Sequence, residues 1–291
     1  MDWTPGGMSG DVEDRRGSSG RGFGGGGGLG IVGILFLLVI SLITGRNYIG
    51  SYLSGGGQVA TTSSNRPATA SPAEDRSGKL VSFVLDDVQG TWDKILAEQT
   101  GKSYRHAKLV LFRDYTRTEG CGAAQSQTGP FYCPGDEKVY IDLGFWDELK
   151  KIGGSTGEFA QAYVIAHELG HHVQNILGIE RQMRQLSAQN PSQKNALSVR
   201  LELQADCLAG VWAHTAAQRG IIHEDDVRDG LSAAAAVGDD HIQKMSRGAV
   251  SPESFTHGTS EQRQSWFMRG LQQGEVKACN TFQSDSSGGS F

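Results

Sequence analysis

Apolar positions are spread unevenly along the 291 residues, and the unevenness divides the chain. Residues 1–22 are dominated by Gly, Ser, Asp and Arg; they bury too little to offset the entropy of ordering and predict a disordered segment. No charge lies between Arg21 and Arg46, and Leu29 to Ile43 is apolar except for Gly30, Gly33 and Ser41. With its flanks this stretch reaches the roughly 20 residues a spanning helix needs. Residues 23–45 therefore read as one transmembrane anchor. A cleavable signal peptide and a buried core helix are the rival readings. The long polar leader and the lack of an Ala-x-Ala-like site weigh against the first, and the Gly-rich and linker flanks against the second. Residues 46–78 show no apolar period and read as a flexible linker, 79–282 as the folded domain, and 283–291 as a disordered tail.

Within the domain, Leu80, Phe83, Val84, Val88, Trp92 and Ile95 recur at helical spacing and predict an amphipathic helix over 80–99. Leu109–Phe112 reads as a short buried strand and Lys138–Leu143 as a second, with turn signals at Gly129-Pro130 and Pro134-Gly135 between them. A helical stretch around 145–152 ends at Gly153-Gly154. The next helix is predicted to open on a capping box, with Ser155 as N-cap and Glu158 at the third position, and to stop at Gly178. Asn190-Pro191 announces another, running to Gly220. A helical region over 224–247 and a last helix between Ser260 and Gly274 complete the domain. The fold class is α+β, mostly helical with a small sheet.

A net charge of −5 without a basic run argues against a nucleic-acid footprint. Arg15, Arg16 and Arg21 before the apolar stretch, against Arg46 after it, favour a single-pass chain with its N-terminus inside and its domain extracytoplasmic. None of the four cysteines forms a Cys-x-x-Cys pair, so a zinc finger is unsupported. Their even number permits two disulfides in an oxidising compartment, and Cys121 and Cys133 flank their loop closely enough to be bridged.

The candidate chemistry sits in His167-Glu168-Leu169-Gly170-His171. Histidines four apart on a helix lie one turn above each other and can grip one metal ion, for which zinc suits. Glu168 projects beside that site, where it can take a proton from a water activated by the ion. A third ligand is needed, and Glu202 is the strongest candidate. Asp206, one turn further on the same face, can accept a hydrogen bond from a ligand histidine and fix its tautomer. Small residues on both helices (Ala166, Gly170, Ala205, Ala209, Gly210) permit close approach. Taken separately, each motif also fits a solvated helix face.

The pairing resembles that of the gluzincin metallopeptidases, in which a Glu-x-x-x-Asp helix follows a His-Glu-x-x-His helix. More closely, the chain resembles the bacterial putative neutral zinc metallopeptidase family. The matching stretches are 129–134, 139–143, 167–174, 202–207 and 255–260. The resemblance implies a zincin-like, minimal gluzincin domain over residues 79–282, with Zn²⁺ on His167, His171 and Glu202 and Glu168 as general base. It also implies that Val139–Leu143 is an edge strand able to pair with an extended peptide or protein substrate.

His257, in Thr256-His-Gly-Thr-Ser260, resembles a histidine of related gluzincins that stabilises the oxyanion; a plain surface or helix-start histidine is the alternative. Arg263 either orients the site or caps a carboxylate. Tyr140 and Tyr163 read as core, and His172 as structural because it points roughly 100° away from His171. A Cys207–Cys279 bridge would staple the C-terminus to the ligand helix, with a thiolate ligand at Cys207 as the alternative. The expected function is a membrane-anchored zinc metalloendopeptidase. The rival is a catalytically silent zinc-binding module, against which stands Glu168, not needed to hold a metal.

Overall fold

The computed structural model describes residues 1–17, 72–125 and 129–282. The apolar period that starts at Leu80 is realised as helix α1 (Pro72–Thr100), which buries Leu80, Val81, Val84, Leu85, Val88, Trp92 and Leu96. The helix opens earlier than the expected start at residue 80. Proline is pre-organised for the first helical position, and Glu74 and Asp75 favour the positive end of the helix dipole. The last seven residues of the expected linker, 72–78, thus belong to α1. The expected anchor at 23–45, the remainder of the linker and the tail at 283–291 lie outside the described residues. No helix among the described residues is long and apolar enough to cross a membrane.

The sheet holds the largest departure from expectation. Strand β1 (Val12–Asp14) pairs in parallel with β2 (Lys108–Phe112), which pairs in parallel with β6 (Lys138–Asp142). Strand β5 (Phe131–Cys133) closes the sheet antiparallel to β6, giving the order β1-β2-β6-β5, while β3 (Tyr115–Arg117) and β4 (Ala123–Gln125) form a separate antiparallel ribbon. The expected edge strand, β6, is therefore interior. Val139, Tyr140, Ile141 and Asp142 are all buried, as a strand covered on both faces must be. The edge beside the helices is β5, too short to register as a strand from sequence.

The expectation of a disordered segment at 1–22 is corrected for residues 1–17. Asp2 N–H donates to the Ile221 carbonyl at 2.7 Å, Trp3 Nε1 to Glu158 at 2.8 Å, and Ser9 Oγ to Asp86 at 2.5 Å. Asp11 accepts from Lys108 Nζ at 2.7 Å and meets His106 Nδ1 at 2.8 Å; the other nitrogen of that ring meets Asp93 at 3.0 Å. Order here comes from backbone pairing along the edge of β2 and from placed charges, which a count of apolar residues does not register.

Seven helices complete the described fold: α2 (Phe145–Lys151), α3 (Glu158–Leu177), α4 (Ile179–Gln189), α5 (Lys194–Gln218), α6 (Glu224–Ala236), α7 (Asp239–Arg247) and α8 (Ser260–Gln273). The fold is α+β and mostly helical. Helix α3 is central, buried against α1, α5 and α6. Its expected capping box does not form. Helix α3 begins at Glu158 after Gly157, Ser155 Oγ accepts from Gly157 N–H and donates to Asp229, and the Glu158 carboxylate is taken by Trp3 and Arg76.

Gly178, at φ 80°, ends α3, and α4 follows directly. The region 224–247 is two helices, broken at Val237-Gly238. Disulfides join Cys121 to Cys133 on β5 and Cys207 on α5 to Cys279, in the expected pairing. Cys207 is thereby unavailable as a thiolate ligand.

Helices α5 and α8 pack backbone to backbone. A Cβ on Gly270 would lie 1.9 Å from the Cys207 carbonyl oxygen. Gly270→Ala should therefore destabilise the fold by roughly 1–3 kcal/mol, the usual cost of overpacking, measured by chemical denaturation. A second expectation concerns the N-terminal segment. The hydrogen bond to Asp93 raises the His106 pKa above 6.5, partial burial opposes it, and Asp11 adds to the rise; Lys108 and the Tyr104 ring also border the group. Detaching the segment removes the Asp11 share, so docking favours the protonated ring. Docking is strongest below the ordinary histidine pKa and weakens as pH rises through the elevated folded value. Protease cleavage within residues 1–16 should increase with pH across that window, and His106→Gln should flatten the dependence.

Candidate metal centre

On α3, His167 and His171 are separated by one turn, with ring centroids 4.9 Å apart. Each imidazole is anchored through Nδ1: His167 to Asp206 Oδ1 at 2.8 Å, His171 to Gln174 Oε1 at 2.9 Å. Both partners are oxygens that accept, so the network assigns the hydrogen to Nδ1 and leaves each Nε2 lone pair for a cation. The free nitrogens converge on one carboxylate from α5. His167 Nε2 is 3.3 Å from Glu202 Oε2, and His171 Nε2 is 3.7 Å from Oε1. Ligand atoms around a tetrahedral zinc with bonds of about 2.1 Å lie about 3.4 Å apart. His167, His171 and Glu202 therefore offer three donor atoms at a spacing that fits one Zn²⁺, all within 4.8 Å of one another.

The local charges favour a positive charge at this point. Burial by itself would depress the His167 pKa, yet Asp206 and Glu202 raise it to about 10. Burial pushes Glu202 upward, but His171 and His167 hold it well below the usual carboxylate range. A divalent ion can take over the positive charge that the protonated ring supplies.

The helices meet closely because Gly170 lets the α5 backbone in: a Cβ there would lie 3.0 Å from the Ala205 carbonyl oxygen. Behind His167, the fully buried Asp206 is saturated with donors. Its Oδ1 accepts from His167, from Tyr163 Oη at 2.5 Å and from Arg263 Nη2 at 2.9 Å, and its Oδ2 accepts from Arg263 Nε at 2.9 Å. Burial would raise its pKa, but Arg263 and His167 keep it lowered and the group ionised. Arg263 is thus a fork on this carboxylate, and Tyr163, expected in the core, is buried there while donating to the same site.

Glu168 is not one of the three donor residues and is 7 % exposed. Burial raises its pKa, with Glu202 adding to the rise; His167, His171 and a backbone hydrogen bond from Tyr132 oppose it. That contact turns the outer edge of β5 toward the glutamate. His257 lies on the loop before α8, its Nδ1 3.2 Å from Asp239 Oδ1. Asp239 Oδ2 in turn accepts the backbone N–H groups of Thr256, His257 and Gly258. Burial lowers the His257 pKa, but Asp239 and the Glu202 charge raise it overall, so the ring senses the ligand carboxylate.

Other candidates lie elsewhere. His172 bonds the Arg105 carbonyl at 2.6 Å and Tyr132 Oη at 2.9 Å, and Tyr140 donates to Asp136. Sequence reasoning passed over Gln174 and Asp239. Gln174 carried a signal, since it sits three residues after His171 on the same helical face. Asp239 carried none, since its role depends on a loop folding over it.

Groups that fix the tautomer of a ligand histidine typically contribute about 10–100-fold to metal affinity. Gln174→Ala and Asp206→Asn should each weaken zinc binding by about that factor, measured by competition with a chromophoric chelator.

The family described as putative neutral zinc metallopeptidase matches residues 1–282. Among curated proteins, the chain is 50 % identical over 290 residues to the uncharacterized protein YpfJ of Escherichia coli K12, covering 97 % of this chain and 99 % of that one. It is 43 % identical over 208 residues to the uncharacterized proteins Mb2605 of Mycobacterium bovis and Rv2575 of Mycobacterium tuberculosis, covering 68 % of each chain. No solved structure matches. With the family match extending over the metal centre and nearly the whole chain, this protein belongs to the putative neutral zinc metallopeptidase family.

Proposed function

We propose that the protein is a zinc-dependent endopeptidase of zincin-like, minimal gluzincin architecture. The observation that carries this reading is Glu168: a buried carboxylate with an elevated pKa, beside the donor set but not part of it. A purely structural zinc site has no use for such a group. Zn²⁺ bound by His167, His171 and Glu202 would act as a Lewis acid, lowering the pKa of water toward about 7 and polarising a carbonyl. Glu168 takes the proton of the attacking water and passes it to the leaving amine nitrogen. His257, oriented through Nδ1 by Asp239, presents Nε2 to the developing oxyanion. An extended peptide or protein substrate adds to the outer edge of β5, which places its scissile bond beside Glu168.

The uncharged stretch between Arg21 and Arg46 supports association with a membrane, and the two disulfides support an extracytoplasmic location for the domain.

The purified full chain should cleave an unstructured protein, and a chelator should stop it. Glu168→Gln should lower kcat by at least about 10²-fold with zinc content unchanged. Stoichiometric zinc without cleavage of any substrate would instead support a silent binding module. His257→Ala should cost about 10²-fold in kcat at unchanged zinc content, as loss of an oxyanion donor does.

A further inference from the structure

The N-terminal sixteen residues are built into the domain at both ends of their path. The Met1 ammonium meets Asp226 on α6 at 2.5 Å, and Trp3 lies 5.7 Å from the Phe83 ring of α1 while donating to Glu158, the first residue of α3. Further on, Ser9 and Asp11 bind α1 and the start of β2, and Val12, Glu13 and Asp14 pair with Leu109, Val110 and Leu111. Arg16 closes the path, donating to Asp14 and to the Glu74 carbonyl at the start of α1. The match to the family takes in this strap and the domain together.

A chain that crosses a bilayer once leaves its two flanks on opposite sides of a hydrocarbon layer about 30 Å thick. Paired strands lie about 4.8 Å apart. A strap laddered to β2 and a single crossing between strap and domain are mutually exclusive. Undocking the strap would strip the edge of β2 and leave Asp11, Lys108 and Glu158 without the partners just named.

We infer that the strap and the domain share one side of the membrane, so that the chain between Gly17 and Pro72 begins and ends on the same face. The expected arrangement, with the N-terminus inside and the domain outside, gives way to one in which both are extracytoplasmic. The shared side follows from the strand pairing alone and is independent of the peptidase reading.

Two single-cysteine variants of the full chain test this. Gly10→Cys adds a side chain where nothing lies within 4 Å, Lys102→Cys replaces an exposed residue, and all four native cysteines are in disulfides. In intact cells a membrane-impermeant maleimide should label both variants to the same extent before lysis. Labelling of one before lysis and of the other only afterwards overturns the inference. Labelling of both only after lysis upholds the shared side and overturns its extracytoplasmic assignment.

A second measurement uses the cysteine pair Ser9→Cys and Asp86→Cys, whose native side chains are 2.5 Å apart. With a protease site inserted between residues 56 and 66, mild oxidation in the cell should keep the two cleavage fragments linked on a non-reducing gel. Fragments that separate overturn the pairing.

Discussion

The buried carboxylate of Asp206 is the interaction on which the site depends. It receives donors from two elements at once: His167 and Tyr163 from α3, and both arms of the Arg263 fork from α8, while it is itself carried on α5. A lone buried carboxylate would be costly or would protonate; with four hydrogen bonds and a guanidinium it stays charged. Its position then fixes the His167 ring, and the ring fixes where a cation can sit. The close contacts at Gly170 against Ala205 and at Gly270 against Cys207 serve the same end, because the carboxylate reaches its donors only if the three helices approach within backbone contact.

Legibility in the sequence followed the locality of each constraint. His167, His171, Glu202 and Asp206 lie at helical spacing on two helices, so a one-turn period was enough to put each pair on one face. Gln174 belongs to the same class. Asp239 and the β5 edge do not, since the first acts on residues 17 to 19 positions later through a folded loop, and the second is three residues long. Ser155 misled because a capping box is only a local preference. Asp229 took its hydroxyl and the N-terminal strap took Glu158, so tertiary partners outcompeted the local motif.

The strap shows the limit of compositional reasoning most plainly. Residues 1–17 contain few apolar side chains, and a segment that buries little is ordinarily disordered. Here the domain supplies the missing half of each interaction: the bare edge of β2, the carboxylates of Glu158, Asp86 and Asp226, and the Phe83 ring. Pairing also covers an edge that would otherwise be open to other strands. At the opposite side of the sheet lies β5, against α3. Among the described residues, the sheet thus has one edge covered by the N-terminal strand and the other formed by β5.

Two glutamates share the centre, and their surroundings push them in opposite directions. Both are buried, which raises a carboxylate pKa. Glu202 faces the two ring nitrogens at 3.3 and 3.7 Å, and that proximity overrides burial and holds it ionised. At Glu168 burial, with the like charge of Glu202, prevails over the same histidines, so its proton affinity rises. Environments that separate two carboxylates in this way distinguish them as the motif spelling does not. The His-Glu-x-x-His pentapeptide names the groups; Asp206, Gln174 and the β5 edge determine what each of them can do.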